Sequence, residues 1–200
     1  MKTRQWFGIL GMLVCAAVGA QAGAITIIEQ ATGNGLLDGK SFSGELITIT
    51  FTGDTNNIFV SGGDILLDGT ATVSVAGTGS DTFTDTIQAY AIDSFGQAGF
   101  QDISGGSRVI LESDSSLFDT YGLNTSIGPV VATPVTTGLS FPTVGGQFSI
   151  TRLTTIGDST SVSYTATAAA GAGGVPEPGS FLLLAAGIAG LAAIKSRVAT

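Results

Sequence analysis

From Gly23 to about Ala170 the chain alternates apolar and hydroxyl residues with a period of two. Ile47, Ile49 and Phe51 interleave with Thr48, Thr50 and Thr52; Ala71, Val73 and Val75 with Thr70, Thr72 and Ser74. Phe83, Ile87 and Ala89 interleave with Thr82, Thr84, Thr86 and Gln88, and Val162, Tyr164, Ala166 and Ala168 with Ser161, Ser163, Thr165 and Thr167. Each run predicts a strand with one apolar face and one face to water. Val109-Ile110-Leu111 and Phe148-Ser149-Ile150 predict two more. Turn residues punctuate the gaps at Gly33-Asn34-Gly35, Gly53-Asp54, Gly62-Gly63-Asp64, Asp68-Gly69, Gly105-Gly106 and Gly145-Gly146. Pro129, Pro134 and Pro142 predict a long loop from Gly128 to Gly146 rather than a central strand. No stretch holds a 3.6-residue period for three turns. The expected fold class is therefore all-β: a single antiparallel β-sandwich, set between two ends of different pattern.

The two ends break the alternation. Lys2 and Arg4 precede an uncharged run from Trp6 to Ala20, and Ala20-Gln21-Ala22 supplies the small-x-small pattern of a signal peptidase site. Cleavage after Ala22 makes Gly23 the first mature residue. Cys15 lies inside the apolar run, so it leaves with the signal and does not form a lipoprotein site. At the other end, Ala168–Gly174 is built of small residues and leads into Val175-Pro176-Glu177-Pro178. An uncharged run, Phe181–Ile194, follows and is closed by Lys195 and Arg197. As a helix, fourteen residues cover about 21 Å. A bilayer core is about 30 Å thick, so such a helix spans only with help from its flanks. Lys195 and Arg197 are the membrane-stop residues, holding the far end on the cytoplasmic side. The organisation read from the sequence is a signal peptide (1–22), a β domain (23–170), a small-residue linker (171–175) and a sorting signal (176–200).

Pro176, Glu177 and Pro178, the apolar run and the basic end together resemble the PEP-CTERM sorting signal of Gram-negative bacteria, a tail also labelled an ice-binding protein C-terminal region. The resemblance implies recognition of the Pro-Glu-Pro motif by exosortase, transient membrane anchoring, removal of the tail, and delivery to the cell surface or the extracellular matrix. A softer likeness joins 81–86, 98–102 and 118–129 to a stretch recurring in uncharacterised PEP-CTERM proteins; it implies no activity.

Composition narrows the chemistry. The chain has no histidine and one cysteine. A His/Cys zinc site, a Ser-His-Asp triad, a Cys-His dyad and an internal disulfide are all excluded. Between residues 23 and 170 there are fourteen acids against three bases, Lys40, Arg108 and Arg152, which argues against nucleic acid as a partner. The carboxylate pairs Asp81/Asp85, Asp64/Asp68 and Glu112/Asp114 could serve a glycan hydrolase, but that chemistry wants a carboxyl in an apolar, aromatic-framed pocket. The only tryptophan, Trp6, lies in the signal segment. Asp54, Asp64 and Asp68 sit in oxygen-rich segments that suit calcium, the one cofactor the sequence suggests. The Thr-x-Thr runs lack the fixed repeat of an ice-binding face and read as ordinary exposed strand. The expectation is a non-enzymatic, exported protein, structural or adhesive in an extracellular polysaccharide matrix. Its partners would be signal peptidase, exosortase and exopolysaccharide. The alternatives are a calcium-dependent carbohydrate-binding module and a carboxylate-based glycan hydrolase.

Overall fold

Among the described residues, every element of regular structure except two single 3-10 turns is a strand, and the strands close on themselves. The computed structural model describes residues 23–154 and 162–169. Its strands are β1 (Ala24–Leu37), β2 (Lys40–Asp54), β3 (Phe59–Ser61), β4 (Asp64–Val75), β5 (Gly79–Thr82), β6 (Ile87–Ile92), β7 (Gln97–Asp102), β8 (Arg108–Asp114), β9 (Ile127–Val135), β10 (Ser140–Thr143), β11 (Gly146–Leu153) and β12 (Val162–Ala168). Following hydrogen-bonded neighbours gives β1-β12-β9-β8-β7-β6-β4-β2, and β2 pairs back onto β1. The result is an eight-strand closed antiparallel barrel.

The expectation of an all-β chain is met, but the sandwich is corrected to a barrel. Period two tells which face of a strand is apolar. It does not tell whether those faces meet across two sheets or around one closed sheet. Closure rests on the pairing of β1 with β2, which runs from Ala24↔Asp54 to Leu37↔Lys40 through the two-residue turn Asp38-Gly39. Both turn residues have positive φ (52° and 78°), which matches the right-handed strand twist of a tight hairpin.

The wall is apolar inside and hydroxyl-rich outside. Ile47, Ile49, Phe51, Ala71, Val73, Val75, Ile87 and Ala89 are buried in one core, as the alternation predicts. Outside, Thr52 and Thr70 meet across β2 and β4, Oγ1 to Oγ1 at 3.4 Å. A barrel with this polarity presents water-compatible side chains outward, the reverse of one that spans a bilayer around a polar lumen.

Several local expectations fail for one reason: strands change partners part-way along. Gly33-Asn34-Gly35 and Asp68-Gly69 are not turns but lie inside β1 and β4. β1 pairs with β12 over Ile25–Gln30 and with β11 over Gly33–Leu37. At Gly35 a Cβ would sit 1.9 Å from the Ser149 carbonyl oxygen, and at Gly69 2.3 Å from that of Thr52. These glycines allow close backbone approach rather than chain reversal. The expected loop 128–146 instead contains β9, β10 and the turn that opens β11. Pro129 falls in a gap of the β9–β12 register and Pro134 beyond its end, so neither missing N–H removes a bond to β12. The run from Thr82 to Ala89 is split between β5 and β6, with Phe83 bridged to Thr143 and its N–H donating to Ala71 O at 3.1 Å.

The two ends of the barrel differ. One, the entry end, is where β1 begins and β12 ends; it also carries the segments 55–63, 93–96 and 115–126. It is plugged by Phe118, Tyr121 and Leu123, whose side chains are buried. Phe118 packs edge-on to Tyr164 at 5.0 Å. The far end is closed by Phe42, Phe83, Phe141 and Phe148, with Phe83 edge-on to Phe148 at 5.9 Å.

Candidate functional site

The features expected of the chain ends lie outside the described residues: the signal segment with Ala20 and Ala22, the linker 171–175, Pro176, Glu177, Pro178, the run Phe181–Ile194, and Lys195 and Arg197. Gly23 is described. Its carbonyl accepts from Thr55 N at 2.9 Å, which ties the start of β1 to the end of β2. Among the described residues no helix is long and apolar enough to cross a membrane.

Asp54, Asp64 and Asp68 have separate positions. Asp54 caps the 3-10 turn 55–57, accepting from Asn56 N at 3.0 Å. Asp64 opens β4 beside the β3–β4 turn. Asp68 projects from the outside of β4 and accepts from Gln88 Nε2 at 2.6 Å; Gln101 Nε2 continues the row to Gln88 Oε1 at 2.7 Å. Four residues of extended strand put Asp64 and Asp68 about 13 Å apart along β4, too far for both to ligate one calcium ion. Among the described residues no group of three or more His, Cys, Asp or Glu converges as a metal site.

The polar chemistry inside the wall centres on Glu29. β1 turns Ile25, Ile27, Glu29 and Ala31 inward, so this carboxyl stands in the barrel interior with no exposure to solvent. It pairs across the wall with Tyr164 of β12 and Ile49 of β2. Ser113 of β8 donates to Glu29 Oε1 at 2.5 Å, whereas Oε2 has no hydrogen-bond partner. Burial pushes the Glu29 carboxyl from 4.5 up to about 8; the Ser113 hydrogen bond opposes this, and the charge of Glu112 adds to it. Glu29 therefore holds its proton at neutral pH. Above it, the hydroxyls of Tyr121 and Tyr164 are raised from their ordinary range chiefly by the same loss of water.

Since Ser113 points inward, its neighbours Glu112 and Asp114 point outward. Tyr90, on the outer face of β6, donates across Gly99 of β7 to Glu112 Oε2. Glu112 is buried under this arrangement, and desolvation raises its carboxyl, with Asp114 adding to the effect and the Tyr90 hydroxyl opposing it.

Two carboxylate clusters fasten the far end. Asp102 is fully buried and accepts from Ser104 N at 2.8 Å and from Arg108, whose guanidinium lies 5.4 Å from the centre of the Phe141 ring. Asp85 reaches the same guanidinium at 4.0 Å. Asp38 accepts from Thr143 Oγ1 at 2.8 Å and Asp81 from Gly145 N at 2.6 Å, which joins the β1–β2 turn and β5 to the β10–β11 hairpin. The Gly145 N–H bond is the main cause holding Asp81 below the ordinary carboxylate range. These groups are positioned to bond one another and the backbone.

Sequence reasoning passed over Glu29. The signal was present: a lone acid at an inward position of the alternating stretch Ile25, Ile27, Glu29, Ala31. Its partner Ser113 lies 84 residues away and has no mark in the sequence.

Comparison with known proteins bears on the tail rather than the barrel. The family described as PEP-CTERM protein-sorting motif matches residues 174–197. No curated protein and no solved structure matches the chain.

Proposed function

We propose that the barrel is a non-enzymatic structural or adhesive component of an extracellular polysaccharide matrix; the PEP-CTERM sorting motif at 174–197 implies export to the cell surface or extracellular space, with exosortase as the processing partner. The sorting motif is the observation that carries this reading. The build of the barrel supports it. Closure leaves the wall strands without long free edges, and the edge strand β10 is four residues long and carries Pro142. No disulfide is needed to hold the fold. The acidic outer surface keeps it soluble.

Transient anchoring through Phe181–Ile194, signal removal before Gly23, and a polysaccharide partner belong to the same proposal. Intact mass of the exported form tests maturation: a species beginning at Gly23 and lacking Phe181–Ile194 is expected, and retention of that run would sink the processing claim. Incubation of the exported protein with host exopolysaccharide tests the role. Retention on the glycan with chain length unchanged is expected. Shortened chains would make the protein a hydrolase instead.

A further inference from the structure

The entry end of the barrel exposes apolar side chains that the fold does not use. Phe59 is 42% exposed, Val60 69%, Phe95 73% and Leu117 61%. They come from three separate segments. Phe59 and Val60 belong to β3, paired with Leu66 and Ile65 of β4. Phe95 is in the β6–β7 turn, and Leu117 in the 3-10 turn Ser116–Phe118. Ile65 pairs with Ala91 of β6, and Ser115 N donates to Gly96 O at 2.8 Å, so the three segments follow one another around the same rim. Both exposed phenylalanines are on this end. Away from this end the exposed large hydrophobics among the described residues are all aliphatic: Val131 and Val135 along β9, and Leu36, Leu46, Leu139 and Val144 toward the far end.

The chain also enters and leaves the barrel here. Thr55 N donates to Gly23 O, and Ala169 N to Ala24 O at 2.8 Å. These contacts fix the first and last described residues on the rim beside the segment that leads into β3, across the mouth from the β6–β7 turn with Phe95 and from Leu117. Eleven residues, 170–180, separate Ala169 from the apolar run Phe181–Ile194. Fully extended they reach about 40 Å, which is the farthest the rim can stand from a bilayer that holds that run. Tethering of this kind makes docking an intramolecular event at an effective concentration up to about millimolar, so that a small apolar contact suffices.

We infer that the entry end is a membrane-docking face, on which Phe59, Val60, Phe95 and Leu117 sit in the interface of a zwitterionic lipid surface while the tail anchors the chain. The exit of the chain beside Phe59 and Val60, with Phe95 and Leu117 across from it, spans the barrel mouth, so the barrel stands end-on. Charge chooses the lipid. The acids of this rim are Asp54, Asp64, Asp93, Asp114 and Asp119, while Lys40 and Arg108 open β2 and β8 at the far end. An anionic surface therefore repels the rim, and attraction must come from apolar burial. This rests on the anchoring reading of the tail.

The test places a single indole at each end of the full-length chain in a Trp6→Phe background, as Phe95→Trp or Val144→Trp. Both host positions are exposed, so the barrel tolerates the exchange. Each protein is reconstituted with phosphatidylcholine vesicles carrying brominated acyl chains, which quench only indoles at the lipid. Flotation reads anchoring separately. Floating protein should lose about half of the indole emission at position 95 and about none at position 144. Adding phosphatidylglycerol should lessen the quenching at 95. Floating protein with position 95 unquenched, or with both positions quenched equally, overturns the proposal while leaving anchoring intact. Stronger quenching on anionic vesicles overturns the apolar basis. A chain that does not float removes the anchoring reading and the proposal together. The processing claim is read independently, from the mass of the exported form.

Discussion

Glu29→Gln isolates the cost of a buried carboxyl. In the unfolded chain the carboxyl ionises near its ordinary value of 4.5, whereas in the barrel it holds its proton up to about 8. Folding therefore takes up a proton between these two values, and stability falls as pH rises through the window. Below about 4.5 both states are protonated and the group contributes no pH dependence. At 1.36 kcal/mol for each unit, the proton uptake costs less than about 1 kcal/mol at pH 5 and about 4 kcal/mol at pH 8. Glutamine cannot ionise, so the variant lacks this slope. Its extra N–H stands where Oε2 now has no partner, which adds a penalty of about 1–3 kcal/mol that does not change with pH. The variant should be the less stable protein at pH 5 and gain about 3 kcal/mol on the wild type by pH 8. Urea denaturation at pH 5, 6, 7 and 8 reads this directly. With slopes of about 1–3 kcal/mol per molar, the separation of midpoints should change by at least about 1 M across the series. Acids other than Glu112, whose charge acts on Glu29, titrate alike in both proteins and cancel. Parallel stability profiles would refute the assignment of Glu29 as a protonated interior group.

Three further outcomes follow from the packing. Arg108→Ala leaves the buried Asp102 carboxylate without its cation and removes the guanidinium from the Phe141 ring; it should destabilise by about 3 kcal/mol in the same denaturation assay, and an effect near zero would mean that the pair is solvated. Gly69→Ala drives a Cβ to within 2.3 Å of the Thr52 carbonyl and 2.5 Å of the Phe51 ring, so it should cost at least about 3 kcal/mol, whereas the substitution at a true turn would cost little. Millimolar calcium should raise the melting temperature no more than magnesium at equal ionic strength, because Asp64 and Asp68 cannot share an ion; a calcium-specific rise lost in Asp64→Asn plus Asp68→Asn would overturn that geometry.

The inward faces were legible in the chain alone. Ile47, Ile49 and Phe51, then Ala71, Val73 and Val75, are buried where a period of two puts them, since successive side chains on a strand must point to opposite faces. The sorting tail was also legible, because its signal is local: motif, apolar run and basic end are contiguous, and the matched segment 174–197 needs no fold to be recognised. The relations between distant strands came instead from the folded arrangement. Closure of β2 onto β1, the use of Gly35 and Gly69 for close approach, and the strand character of β9 despite Pro129 and Pro134 depend on which neighbour each strand has at each point along its length. Glu29 is the sharpest case. Its inward position follows from the alternation around it, but its raised pKa and its bond to Ser113 exist only because the barrel closes and excludes water from around it. Alternation is a property of one strand; desolvation is a property of all eight together.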